Sequence, residues 1–183
     1  VLTVARTSEK LGLPAPISSE TALAATNKRV MKRLFSRYKI PSPRYRILRE
    51  ESAEDELAKI EASSGRNLLK PPFVLKPVDS QGQRGVVRLE SDETVKSYLP
   101  STLSYSREGA AVLEEYYESE EVTFSGVVVG GKLYPLTLTD RVTVSQPPHI
   151  GVCVAHNYPS RYTEEYGEHV LVLSRKIVEA FGI

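Results

Sequence analysis

The sequence of 183 residues has few of the residue types that would identify common classes of protein. Its one cysteine, Cys153, cannot form a disulfide within the chain, which favours a reducing compartment, and we expect the cytoplasm. The chain has no tryptophan and 4 phenylalanines beside 10 scattered tyrosines, so an aromatic platform for stacking nucleic-acid bases has little support. The 24 basic and 23 acidic residues nearly cancel, so no overall charge attracts nucleic acid or an anionic membrane.

Long apolar runs and two common phosphate motifs are also absent. No stretch approaches the ~18 apolar residues of a membrane-spanning helix, and the N-terminus does not have the pattern of a signal peptide. The chain contains neither Gly-x4-Gly-Lys-Ser/Thr nor Gly-x-Gly-x-x-Gly. The composition is otherwise that of a globular protein of one domain or two small lobes, with 40% hydrophobic residues. Any site for an anion must therefore be local.

The most informative segment covers residues 73–89, FVLKPVDSQGQRGVVRL. It predicts a buried strand that carries Lys76, a loop with Gly82 and Gly85, and a second strand at residues 86–89. Glycines let a loop's backbone approach a ligand and direct several N–H groups at it, and the lysine adds positive charge. These features suit a polyphosphate, although an exposed and merely flexible hairpin has the same pattern. The order of the two features differs from that in a protein kinase, whose glycine loop precedes its lysine.

Capping residues predict two helices before this hairpin. Residues 1–16 stay unassigned. Ser18 or Ser19 begins a short helix, and Asn27 precedes a second helix over residues 28–38, which ends at the IPSP segment.

The helix over residues 28–38 has an apolar face and several cations. The residues predicted to be buried are Val30, Met31, Leu34 and Phe35. The cations interpreted as a solvated face are Arg29, Lys32, Arg33 and Arg37. Lys28 differs from them because a positive charge at a helix start opposes the helix dipole and is usually avoided unless an anion is near.

Residues 44–117 predict a small α+β lobe with the order strand, helix, strand, strand, helix, strand. Its second helix is expected to begin at Ser91 or Asp92 and to end at Pro100. A polar loop is expected over residues 101–109. The last strand carries Glu114 and Glu115.

The remainder of the chain predicts a long hairpin and a helix. Strands at residues 121–129 and 132–144 are expected to flank a primed turn at Gly130-Gly131. Residues 145–160 are expected to form a loop, and Thr163 is expected to cap the last helix. The apolar stripe of that helix comprises Val170, Leu173, Ile177 and Phe181.

Two histidines flank the single cysteine. His149, Cys153 and His156 could be metal ligands or a thiol–imidazole pair. Their spacing matches no standard zinc pattern and no fourth ligand is nearby, so we interpret them as a buried structural thiol with loop histidines.

Three motifs occur in a fixed order along the chain. The first is an Asn-Lys pair at residues 27–28, which opens a helix that ends before KIPSP. The second, within residues 74–85, is VLKP followed by the glycine loop. The third, within residues 113–122, is LEEYY followed by a Glu-Val pair. In this order and spacing the motifs resemble the ATP-grasp superfamily. The resemblance is strongest to the biotin carboxylase and carbamoyl-phosphate synthetase branch, which includes small carboxylate-amine ligases.

This resemblance implies an ATP-grasp fold made of a small lid lobe and the first part of a base lobe. Residues 1–41 would end a preceding region, residues 42–117 would form the lid, and residues 118–183 would begin the base. ATP would lie between lid and base.

The resemblance also implies roles for particular residues. Lys28 and Lys76 would neutralise phosphates, and the loop backbone at Gln81, Gly82 and Gly85 would close over them. The adenine edge would contact one glutamate side chain and the following backbone groups; the candidates are Glu114, Glu115 and Tyr117.

Two further residues receive roles from the resemblance. Glu121 would accept both ribose hydroxyls, since a carboxylate suits two neighbouring O–H donors. Arg141 would be a catalytic cation that faces the phosphates or an acyl phosphate. The alternatives are an acidic solvated turn for the glutamates and an exposed strand-end position for the arginine.

The implied reaction is ATP-dependent ligation. ATP would phosphorylate a small-molecule carboxylate, and an amine or similar nucleophile would attack the acyl phosphate. Mg²⁺ is the second cofactor implied. No residue here matches the family's metal ligands, so we expect them beyond residue 183 and expect no turnover by these residues alone. A homo-oligomer formed through other regions stays open, and the alternative function is a non-catalytic ATP-binding regulatory module.

Overall fold

The computed structural model describes residues 1–62, 69–146 and 149–183. Its elements in chain order are α1 (Leu2–Leu11), α2 (Ser19–Thr26), α3 (Lys28–Arg37), β1 (Tyr45–Leu48), a 3-10 turn (Glu50–Ser52), α4 (Ala53–Ala62), β2 (Phe73–Pro77), β3 (Val87–Leu89), α5 (Asp92–Ser104), β4 (Ala111–Glu115), β5 (Glu121–Val129), β6 (Lys132–Gln146), β7 (His149–Asn157) and α6 (Thr163–Phe181). None of the helices within these ranges combines the length and apolar character needed to cross a membrane.

The first sheet confirms the predicted α+β lobe. Its antiparallel strands lie in the order β1-β4-β2-β3, so β2 and β3 form the hairpin expected around the glycine loop. One face packs against α4 and α5 through a buried apolar core that includes Leu48, Leu57, Phe73, Leu75, Leu89, Val95 and Leu113. Because side chains alternate along a strand, Lys76 and Glu114 lie on the opposite face of this sheet.

The second sheet contains β5, β6 and β7 in sequence order, all antiparallel. The turn between β5 and β6 is of the predicted primed type, with φ of 57° at Gly130 and 75° at Gly131. The prediction of a loop over residues 145–160 is wrong, because β7 pairs with β6 along this stretch. The pairing has two register shifts, so the sequence there lacks the regular alternation that would predict a strand.

The predicted end of α5 at Pro100 is also wrong. The helix continues to Ser104, although proline removes one helical hydrogen bond. Leu99 and Thr102 on either side of the proline are buried, and Thr102 Oγ1 donates to the Gly85 carbonyl at 3.2 Å. Tertiary packing therefore maintains the last turn, and the loop expected over residues 101–109 begins four residues later.

The helices at the start of the chain agree with the capping signals. Ser18 Oγ accepts from the Thr21 N–H at 3.0 Å, and Asn27 Oδ1 accepts from the N–H groups of Arg29 and Val30 at 3.0 and 3.1 Å. The helix α1, which the sequence left unassigned, precedes them.

Helix α3 packs beside α6. The predicted buried face of α3 is only half buried, and Phe35 meets Phe181 of α6 with ring centroids 6.1 Å apart. The apolar stripe of α6 is likewise half buried. This last helix is preceded by Tyr162 at the N-cap, so Thr163 is its first residue and not its cap.

Candidate functional site

Glu114 lies at the centre of the candidate site. Its side chain is 9% exposed on the face of the first sheet that α4 and α5 leave uncovered. Its Oε1 accepts a hydrogen bond from Lys76 Nζ, and its Oε2 lies 2.7 Å from Lys32 Nζ. One buried carboxylate therefore balances two lysines that come from different elements, β2 and α3.

Lys32 is a residue whose location the sequence mispredicted. It was expected on a solvated face, but it is buried at 7% exposure. Its Nζ donates to Ser42 Oγ at 2.6 Å and to the Pro43 carbonyl at 3.4 Å, and lies 5.3 Å from the ring centroid of Tyr45. Burial lowers the pKa of Lys32, and the neighbouring Glu114 opposes that change.

Lys28 lies close to the same group. As the first residue of α3 it donates from Nζ to the Ser80 carbonyl at 2.7 Å, and its backbone N–H donates to the Val78 carbonyl at 2.7 Å. Burial lowers the pKa of Lys28, and the charge of Lys76 lowers it further, while Asp79 and Glu114 act in the opposite direction. The structure thus brings Lys28, Lys32 and Lys76 together, so that positive charge exceeds negative charge.

The glycine loop bridges two parts of the protein. Gln81 Nε2 donates to the Thr26 carbonyl at the end of α2 at 3.1 Å, and Gln83 Nε2 donates to the Gly151 carbonyl on β7 at 2.5 Å. Both loop glycines have positive φ, 67° at Gly82 and 69° at Gly85. The loop is therefore seated between α2 and the second sheet.

The two loop glycines have different surroundings. A Cβ at Gly85 would lie 2.8 Å from the Tyr105 ring and 3.0 Å from the Pro77 ring, whereas a Cβ at Gly82 would have nothing within 4 Å. Gly85 is thus required by packing as well as by backbone conformation, and Gly82 leaves open space above the loop.

Glu115 points away from the lysines. Arg44 contacts it with two nitrogens, at 2.8 and 2.6 Å, Tyr117 Oη donates to it at 3.0 Å, and the Lys70 N–H donates at 3.2 Å. Burial acts to raise the pKa of Glu115, but these hydrogen bonds outweigh it and the pKa lies below its ordinary value. The Glu115 side chain is therefore committed to Arg44, and that of Tyr117 is tied to the same group.

Glu121 and Arg141 form a separate pair on the second sheet. They lie opposite each other on β5 and β6, and Arg141 Nη1 donates to Glu121 Oε2 at 2.8 Å. Both side chains are partly exposed. Within the described ranges no hydrogen bond or ion pair joins them to the lysines around Glu114, so Glu121 and Arg141 form a group apart from the predicted residues on and around the first sheet.

The interpretation of the cysteine as buried, with loop histidines, is wrong where the structure describes these residues. Cys153 is half buried on β7, and its Sγ lies 3.4 Å from His156 Nε2 on the same strand. His156 Nδ1 is 3.0 Å from Thr139 Oγ1. The His149 side chain lies outside the described residues. Across the described ranges, no cluster of three or more His, Cys, Asp or Glu side chains could hold a metal ion.

Comparisons with known proteins find similarity to several ligases. No family model matches the sequence. It is 35% identical over 105 residues to the D-alanine–D-alanine ligase of Halothermothrix orenii, an alignment that covers 57% of this chain and 30% of the ligase.

Two solved structures share the fold. The VanG D-Ala:D-Ser ligase from Enterococcus faecalis superposes with a TM-score of 0.84 at 17% identity, over 98% of this chain and 52% of that chain. The ADP complex of purK, N5-carboxyaminoimidazole ribonucleotide synthetase, superposes with a TM-score of 0.77 at 18% identity, over 100% of this chain and 45% of that chain. This chain thus spans 30% of the curated ligase's length and about half of each solved chain.

Proposed function

We propose that this chain is a member of the ATP-grasp superfamily and forms the ATP-binding part of a ligase that activates a carboxylate as an acyl phosphate. In this proposal residues 42–117 are the lid and residues 118–183 begin the base, with residues 1–41 leading into them. The segment at residues 116–120 connects the two sheets and would serve as the hinge. The relatives named above are ligases, which supports the general class of reaction.

The observation that carries the proposal is the cluster of lysines beneath the glycine loop. Lys76 lies close enough to Lys28 to lower the pKa of Lys28, and Asp79 and Glu114 act in the opposite direction. Asp79 is already engaged by Ser106 Oγ and the Arg107 N–H, at 2.7 and 3.1 Å. A polyphosphate would supply the missing negative charge, and the loop at Gln81, Gly82 and Gly85 would cover it.

The hinge segment has groups that suit an adenine edge. Glu114 points to the lysine side and is our candidate for the glutamate side chain, whereas Glu115 would contribute only its backbone because Arg44 holds its carboxylate. The N–H groups of Glu115 and Tyr116 donate to the carbonyls of Arg44 and Pro72. The Tyr117 N–H is the next along the chain, and among the described residues it has no partner, which leaves it to donate to a ring nitrogen.

The pair on the second sheet would have to separate for the roles that the resemblance implies. Glu121 has enough acceptor sites for two ribose hydroxyls while Arg141 holds Oε2, but Arg141 must release that oxygen before it can turn toward a phosphate. Partly exposed ion pairs of this kind contribute only about 0–1 kcal/mol, so a nucleotide could readily replace the contact.

The proposed chemistry is the one that the family resemblance implies. A carboxylate oxygen of the substrate attacks the γ-phosphorus, the bond to the oxygen shared with the β-phosphate breaks, and ADP leaves. The amine then attacks the acyl carbon and releases phosphate. Lys28 and Lys76 would reduce the charge repulsion between the carboxylate and ATP, and Arg141 would stabilise charge on the phosphoryl oxygens.

Magnesium would be expected with ATP, but the described residues do not fit a metal site. They contain no cluster of three or more His, Cys, Asp or Glu side chains that could hold a metal ion. We therefore assign no residue of this chain to the metal and derive no step through it.

Substrate-dependent release of ADP by the intact protein tests the proposed function. We expect ADP to appear with ATP, magnesium and the correct carboxylate and amine, and not when the carboxylate is omitted. A panel of amino acids and small carboxylates, each paired with amines, would identify the substrates. Nucleotide binding without ADP from a broad panel would instead favour a regulatory module with the same fold.

A further inference from the structure

We propose that Lys32 is a positioning residue, which holds Glu114 in place when Lys76 moves from that glutamate to a nucleotide phosphate. This inference rests on the proposed function and assigns a role to a residue that contacts no nucleotide itself. Its basis is that a single buried carboxylate has two cations that differ in exposure and in their other contacts.

The Lys32 side chain has more contacts and is less exposed than the Lys76 side chain. Besides Glu114, the Nζ of Lys32 contacts Ser42 Oγ at 2.6 Å and the Pro43 carbonyl at 3.4 Å, and the side chain is 8% exposed. The Lys76 side chain is 21% exposed, and Glu114 is the acceptor that the structure gives its Nζ. A cation with one partner and access to solvent can turn to a phosphate, whereas one with several buried partners stays where it is.

The second cation matters because the carboxylate is buried. Moving Lys76 away from a buried Glu114 that had no other cation would leave an unpaired charge, which is strongly unfavourable in a protein interior. That cost would be subtracted from the affinity for the nucleotide. With Lys32 at 2.7 Å, Glu114 keeps one paired cation and its orientation stays fixed, and its other oxygen is released as an acceptor when Lys76 leaves.

The role predicts a specific coupling between residues 32 and 114. Lys32→Met should weaken ATP binding only while residue 114 carries a negative charge. In Glu114→Gln, no carboxylate remains to be left unpaired, so the same substitution should have little effect. A residue that supports the fold in a general way would weaken binding equally in both backgrounds.

A double-mutant cycle on ATP binding, measured by calorimetry with the intact protein, tests this coupling. We expect Lys32→Met to weaken ATP binding about tenfold, and expect its effect in the Glu114→Gln background to fall below about twofold. Arg33→Met is the matched control, because Arg33 is the next residue of α3 and is exposed, and its affinity should equal that of the parent. Circular dichroism would show that each variant is folded, and Lys32→Gln would replace Lys32→Met if the latter does not fold.

Two results would overturn the inference. ATP affinity of the Lys32 variant within about twofold of the parent, or an equal loss in both backgrounds, would show that Lys32 does not act through Glu114. A parent protein that binds no ATP would be a different result, because it would contradict the proposed function and the inference with it.

Discussion

Replacement of Gly85 by alanine should lower the free energy of unfolding by about 2–4 kcal/mol. Its φ of 69° is a left-handed conformation in which a Cβ costs roughly 1–2 kcal/mol. The added methyl group would also lie 2.8 Å from the Tyr105 ring and 3.0 Å from Pro77, and such overpacking typically costs about 1–3 kcal/mol. Because the Tyr105 side chain is partly exposed and can move, we expect a total loss somewhat smaller than the two largest costs added together. Chemical denaturation of the purified variant measures the loss.

Gly82→Ala is the matched control for this prediction. Gly82 has nearly the same φ, 67°, but no atom within 4 Å of its Cβ position, so only the backbone cost of roughly 1–2 kcal/mol should remain. Equal losses at the two glycines would show that the contact with Tyr105 and Pro77 does not constrain the loop. A smaller loss at Gly85 than at Gly82 would contradict the loop conformation itself.

Lys76→Met in the intact protein should weaken ATP binding by about 1.5–3 kcal/mol, which is the usual contribution of a hydrogen bond to a charged group. This corresponds to a loss of roughly 10–150-fold in affinity. Methionine keeps most of the length of the side chain but cannot neutralise a phosphate. Isothermal titration calorimetry with ATP gives the affinity directly, and denaturation of the same variant separates lost binding from lost folding.

Lys96→Met provides the comparison for that experiment. Lys96 is exposed on α5 in the same lobe, so its removal changes the net charge by the same amount without touching the lysine cluster. Its ATP affinity should stay within about twofold of the parent at moderate salt, because exposed charges far from a ligand are screened. If both variants weaken binding equally, the effect is that of overall charge and Lys76 has no specific contact.

Local signals in the sequence predicted much of the fold. The caps at Ser18 and Asn27 and the double-glycine turn at residues 130–131 each depend on a few neighbouring residues, and the structure confirms all of them. The strand β7 was missed because its irregular register hides the alternation. Pro100 was misinterpreted because tertiary contacts at Leu99 and Thr102 outweigh a local rule.

The composition of the site was harder to predict than its location. The pattern of α3 marks Lys32 as polar, but no periodicity shows that a polar residue meets a carboxylate on a distant strand. Similarly, counting back from the turn at residues 130–131 places Glu121 opposite Asp140. A β-bulge between Ser125 and Gly126 shifts the register by one residue, so that Glu121 meets Arg141 and forms an ion pair.

Hydrogen exchange of the intact protein, with and without ATP and magnesium, tests the location of the nucleotide most directly. We expect ATP to slow exchange of backbone N–H groups in the glycine loop at residues 81–85 and at Tyr117, because both would be covered by the bound nucleotide. Exchange at the tip of the β5–β6 hairpin, residues 127–134, should not change. Equal exchange at the glycine loop and Tyr117 with and without ATP, in a protein that binds ATP, would contradict the proposed site.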